Sequence, residues 1–143
     1  MCTSNTKTCA CGSASADFAY RDEVMPDSVV EKLFCPRCST RAEFDSGTML
    51  KDNGWIIKYD MDVARFSASR VTKKEISPEW LFDEGYCTWQ GVHPGDLAES
   101  AREREELLQL SVINPRKYFE EFRKWGIRRM DKLAREGWRK AHA

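Results

Sequence analysis

Two short cysteine pairs, C-A-C-G at residues 9–12 and C-P-R-C at residues 35–38, constrain this chain more than any other feature. A C-x-x-C turn can aim both thiolates at one point while its backbone amides face the sulfurs, and two such turns close one tetrahedral metal sphere. The second pair has the expected setting. Leu33-Phe34 reads as the end of a strand, Pro36 fixes the first turn residue and polar Ser39-Thr40 follow. The first pair has one intervening residue instead of two. The 23 residues between Cys11 and Cys35 also exceed the roughly 15 to 20 usual between paired cysteine turns. Gly12 supplies a flexible position beside Cys11.

The motifs C-A-C-G and F-C-P-R-C-S resemble those of zinc-ribbon proteins over about residues 7–45. The resemblance implies two knuckles on β-hairpins with one structural zinc ion between them, so Cys9, Cys11, Cys35 and Cys38 would be the ligands. Iron, or an iron–sulfur cluster, would use the same four thiolates, and colour separates these from zinc. A dithiol redox site at Cys35 and Cys38 is a further reading, but it calls for a long helix after the pair, and Ser39–Gly47 is a poor one.

Cys2 reads as a mobile thiol without a role, in a polar stretch over residues 1–8 that predicts a loose arm for the first knuckle. Cys87 lies in G-Y-C-T-W-Q-G-V-H. It reads first as a small buried residue between Tyr86 and Trp89, although Cys87 or His93 could replace Cys9 as a ligand. His93, before Pro94, reads as a loop residue.

Along the chain, V-V-E-K-L-F from Val29 predicts a strand into the second knuckle, and R-A-E-F at 41–44 predicts its returning partner. T-M-L-K, D-N-G and W-I-I-K-Y predict a β-hairpin, since Asn53-Gly54 can adopt the positive φ angles of a tight turn. Trp55, Ile57 and Tyr59 would share one face. Residues 60–70 read as a short helix or irregular chain. Ser77-Pro78 predicts a capped helical turn ending at Gly85, and 85–95 reads as loop.

Asp96 and Glu99 have capping-box spacing ahead of a helix over about 97–110. Asn114-Pro115 restarts the chain into a long amphipathic helix reaching about Lys140, with a kink or frayed end expected at Gly126 or Gly137. The expected fold class is therefore α+β: a small zinc-ribbon-like β region over 1–60, a mixed connector over 61–95, and a helical region over 96–143.

Zero net charge conceals a split. Residues 1–113 carry 13 basic and 19 acidic side chains, whereas 114–143 carry 10 and 4, leaving −6 and +6. Arg123, Lys124, Arg128, Arg129 and Lys132 interleave with aromatic residues on the last helix, the pattern of a partner-binding surface. A pI near 6.7 argues against nonspecific polyanion binding, which draws its affinity from released counterions.

No nucleophile with a matching base stands out, so the expectation is a nonenzymatic zinc-binding accessory or adaptor protein contacting a protein partner through that helix. A nucleic-acid-binding role and a thiol redox or iron-thiolate electron-transfer role are the alternatives. The opening MCTSNTKTCACGS lacks an apolar signal stretch and no run is long and apolar enough for a membrane span, which predicts a cytoplasmic protein.

Overall fold

The computed structural model describes residues 2–21 and 23–142; the side chain of Cys2 lies outside the described part, so its thiol is not placed. The fold is α+β, as expected, with two three-stranded antiparallel sheets and four helices among the described residues. The chain divides into two compact units, Met1–Gln90 and Gly91–Ala143. No described helix is long and apolar enough to cross a membrane.

In the first unit, β1 (Cys2–Thr8) pairs with β2 (Ser15–Arg21) along its full length, and β2 pairs with β6 (Cys87–Trp89). This corrects two expectations. The polar arm is a strand, because backbone pairing with β2 needs no apolar side chains on the outer edge. The loop expected over 85–95 contains β6, whose three buried residues were too few to show a period. Ala16, Phe18 and Tyr20 alternate inward along β2.

The second sheet has the order β3 (Val30–Phe34), β5 (Trp55–Tyr59), β4 (Met49–Asp52). The β4–β5 hairpin forms as read, with Asn53 at φ 49° and Gly54 at φ 92°. The partner of β3 is β5, not residues 41–44. After Cys38 the chain makes a short 3-10 turn over Ser39–Arg41 and leaves as irregular backbone. W-I-I-K-Y offers a buried face that R-A-E-F lacks, which gives it the central place in the sheet.

Between the sheets the core is aromatic. Trp89 is fully buried, with ring centroids 5.2 Å from Phe18, 5.8 Å from Trp55 and 5.9 Å from Phe82. Its indole N–H donates to Asp52 Oδ2 at 2.7 Å, and Tyr59 OH donates to the Cys87 carbonyl at 2.8 Å. Both bonds satisfy buried polar atoms that would otherwise oppose folding.

Helix α1 (Met61–Ala68) settles the ambiguous stretch: Asp60 caps it by accepting from the amides of Asp62 and Val63, while Met61, Ala64 and Ala68 turn inward. Helix α2 (Pro78–Asp83) starts at the Ser77 cap and Pro78, as expected, with Gly85 at φ 80° just beyond its end.

The second unit is a helical hairpin of α3 (Asp96–Ile113) and α4 (Pro115–Glu136), turned at Asn114, whose side chain caps α4 through the Lys117 amide. Three details differ from expectation. Gly95, not Asp96, is the cap of α3. Helix α4 stops at Glu136 and not near Lys140: it runs unbroken through Gly126 and gives way at Gly137, one of the two glycines where an end was expected, with φ 95° there and a 3-10 turn over Arg139–His142. Asp96 instead pairs with Arg129 of α4 and accepts from the Val92 amide ahead of the helix, both charge-assisted bonds.

Candidate metal centre

The first cysteine pair occupies the loop that joins β1 to β2. Cys9 N–H bonds to the Ala14 carbonyl at 2.9 Å and Gly12 N–H to the Cys9 carbonyl at 2.9 Å, folding the loop back so that both sulfurs point the same way. Gly12 has φ 76°, which only glycine adopts without strain. The second pair follows β3: Ser39 N–H reaches the Cys35 carbonyl at 2.8 Å, and Cys35 N–H donates to Cys38 Sγ at 3.2 Å.

Cys9, Cys11, Cys35 and Cys38 place their sulfurs within 4.8 Å of one another, a group able to hold a metal ion. Adjacent sulfurs are 3.3 Å (Cys9–Cys11), 3.6 Å (Cys11–Cys35) and 3.6 Å (Cys35–Cys38) apart. Four sulfurs at about 2.3 Å from a tetrahedral zinc stand about 3.8 Å apart, whereas a disulfide brings two within about 2.05 Å. The observed spacing matches the first. All four are free thiols, as is Cys87.

Cys9 and Cys35 are buried, Cys38 is half-buried and Cys11 is exposed. A depression of about 220 Å³ lined by Ala10, Cys11, Phe34, Cys38, Arg41 and Ala42 gives solvent access on the Cys11 and Cys38 side. Ser13 Oγ lies 2.9 Å from Cys11 Sγ and 3.9 Å from Cys35 Sγ.

The electrostatics favour thiolates at two of the four positions. Burial raises the Cys9 thiol, but bonding from Cys11 and from the Ala14 amide outweighs it and brings Cys9 down to about 5. The Cys38 amide lowers Cys35, against the upward push of burial. Burial raises Cys38, and the neighbouring Cys35 sulfur adds to that. A shared cation relieves this crowding of negative charge, since thiolates are the metal-binding form.

The odd C-x-C spacing is thus accommodated by a hairpin loop, and neither alternative ligand is needed to complete the four. Cys87 is fully buried on β6 and its thiol is pushed far up by burial. His93 belongs to the second unit and is buried there against Trp138, at 5.2 Å between rings, with Nδ1 2.7 Å from the Pro94 carbonyl. His93 lies in the bend between β6 and α3, a loop position as read, but it is buried and not exposed.

Comparison with protein-family models, curated proteins and solved structures finds no match for this chain. What the site can do is therefore read from its own geometry.

The five basic residues proposed from sequence as a contact surface fall into different settings on α4. Arg129 is 8% exposed and bonds Asp96, Glu99 (3.3 Å) and Glu103 (2.6 Å) on α3. Lys132 reaches Glu99 at 3.3 Å and Glu136 at 3.9 Å, and Lys124 reaches Glu121 at 3.6 Å. Arg123 and Arg128 are exposed. Lys117, Lys124, Arg128 and Lys132 each precede by one residue a side chain turned toward α3 (Tyr118, Trp125, Arg129 and Leu133), so the four cations form one row along the helix.

The Asp96–Glu99–Glu103–Arg129 network was not visible as a network in the sequence, because Arg129 stands 26 to 33 residues from its three carboxylate partners. Their i, i+3 and i, i+4 spacing along α3 was the available signal.

Proposed function

We propose that the chain is a nonenzymatic accessory protein in which Cys9, Cys11, Cys35 and Cys38 hold one structural zinc ion, and α4 contacts a protein partner. The observation that carries the reading is the convergence of four thiols from two backbone turns at tetrahedral spacing. Zinc fits better than a redox dithiol, because the chain after Cys38 forms a three-residue turn rather than the long helix that positions such a dithiol. A cation bound there would tie the β1–β2 loop to the end of β3, so metal binding would stabilise the fold of the first unit. The likeness to zinc-ribbon proteins supports the same ligand set.

On the partner side, Arg129 is buried within the hairpin, and the exposed row of Lys117, Lys124, Arg128 and Lys132 would meet an acidic protein surface, Lys124 and Lys132 exchanging their solvent-exposed pairs with Glu121, Glu99 and Glu136 for it. Elemental analysis of the purified protein with its absorption spectrum tests the metal: one zinc per chain without colour is expected. Iron with a thiolate charge-transfer band would make the site an electron carrier, and absence of metal would return the thiols to redox chemistry.

A further inference from the structure

The helical hairpin has a second face that its own packing leaves uncovered. Phe119 (69% exposed), Phe122, Gly126, Ile127 and Met130 form a stripe on α4, and Leu97, Leu108 and Val112 (87% exposed) a stripe on α3. These stripes lie on one side of the hairpin. Phe119, Gly126 and Met130 each follow by one residue, or about 100° of helix, a side chain turned toward α3. Leu97 and Leu108 likewise follow Asp96 and Leu107 on α3. Because the helices are antiparallel, the same sense of rotation away from the contact line leads both stripes to the same side. The row of cations lies on the opposite side, one residue before each contact.

Gly126 gives the second observation. Glycine inside an exposed helix costs about 1 kcal/mol relative to alanine. Nothing in the hairpin requires it, since a Cβ there would meet no atom within 4 Å and its φ is not positive. What its absence of side chain leaves is a depression of about 450 Å³ lined by Phe122, Arg123, Gly126, Ile127, Met130 and Asp131. That is a notch at which another helix can approach closely.

We propose that a second copy of this chain covers this face, the two hairpins stacking with α3 of each over α4 of the other in a two-fold four-helix bundle. Charge selects this occupant. The edge of the stripe on α4 carries Arg116, Glu120, Arg123 and Asp131, which balance, so a strongly charged partner gains nothing there. The pairs Glu99–Arg129 and Glu103–Trp125 set the level of the two helices. Continuing that register puts Glu105 of α3 level with Arg123 of α4, and both lie at the outer edge of the apolar face. Stacking about a two-fold axis parallel to the helices therefore brings Glu105 of each copy beside Arg123 of the other. Leu108 meets the Phe119–Phe122 end and Leu97 the Met130 end. Arg104, the one charge within the α3 stripe, bonds back to the Ser100 carbonyl at 3.3 Å.

Sedimentation equilibrium of the full chain in reductant tests this. A reversible dimer of twice 16.5 kDa is expected. Gly126→Leu should yield a monomer with unchanged helical circular dichroism, because a Cβ at this position meets no atom within 4 Å and the larger side chain extends into the open notch. Arg123→Glu removes both symmetry-related ion pairs and should weaken the dimer by up to about 25-fold, about fivefold for each exposed pair lost, and adding Glu105→Arg should restore it. A wild-type monomer at every soluble concentration, including one that binds an unrelated protein through this face, overturns the proposal. So does a dimer that Gly126→Leu leaves intact, or one that the double exchange fails to restore.

Discussion

Ala10 N–H donates to the Leu33 carbonyl at 2.8 Å, one backbone hydrogen bond that holds the first cysteine loop against the strand delivering the second pair. The bond belongs to the fold and not to any ion. It lies between Cys9 and Cys11 on one side and two residues before Cys35 on the other, so the protein brings its four sulfurs together through peptide groups. Cys35→Ser and Cys38→Ser each remove one of four ligands, and each should release the metal and loosen the β1–β2 loop while the α3–α4 hairpin stays folded. Metal content and amide exchange protection of residues 9–14 are the measurements. Full metal stoichiometry in either variant would contradict the ligand assignment.

The hairpin turn at Asn53-Gly54 supports the second cysteine turn from outside. Ser39 Oγ donates to the Gly54 carbonyl at 2.7 Å, and a Cβ on Gly54 would come within 3.3 Å of the Pro36 ring. Gly54→Ala combines that contact with a φ of 92°. It should destabilise the first unit by about 1–2 kcal/mol and lower metal affinity, read by denaturant titration and competition with a chelator. Ser39→Ala removes only the hydroxyl bond and should cost about 1 kcal/mol.

Trp89 and Asp52 join the two sheets by a buried hydrogen bond. Trp89→Phe removes the pyrrole half of a fully buried indole and strips a buried carboxylate of a donor, so a loss of at least about 2 kcal/mol in unfolding free energy is expected. Trp fluorescence reporting on the remaining indoles and the urea midpoint check it.

In the second unit, burial opposes ionisation of Asp96, yet bonding from Arg129 and the Val92 amide carries it below the ordinary carboxylate value; burial likewise opposes Glu99, which Lys132 and Arg129 bring down. Groups whose folded pKa is depressed add stability that is complete above the unfolded value and is lost as pH falls through the folded one. Helix content from the hairpin should therefore hold above about pH 5 and fall below about pH 4. Arg129→Met leaves Asp96 with the Val92 amide but without the cation it pairs with, and should destabilise the hairpin by about 3 kcal/mol, with part of that loss absent at acid pH.

Local chemistry was legible in the sequence wherever a short motif determines its own geometry. The Asn53-Gly54 turn, the Ser77-Pro78 and Asn114-Pro115 helix starts, and the Cys35-Pro36-Arg37-Cys38 turn all stand where their residues put them. Strand partners were less legible. Residues 41–44 have an alternating look but no buried face, and β5 outcompetes them for β3 through contacts that only tertiary structure brings together. The polar strand β1 pairs through its backbone and the bond from the Thr6 hydroxyl to Asp17, which leaves no apolar period to read. Of the basic residues on α4, only the partners of Arg129 on α3 reveal that it is a core cation and not a surface one.

Cobalt(II) substitution tests the central claim most directly, because the visible spectrum reports both ligand type and geometry. A single equivalent binding with intense tetrahedral d–d bands and thiolate charge-transfer absorption is expected, displaced by one equivalent of zinc. A pale octahedral spectrum, or cobalt binding unchanged when Cys9, Cys11, Cys35 and Cys38 are all replaced by serine, would contradict it.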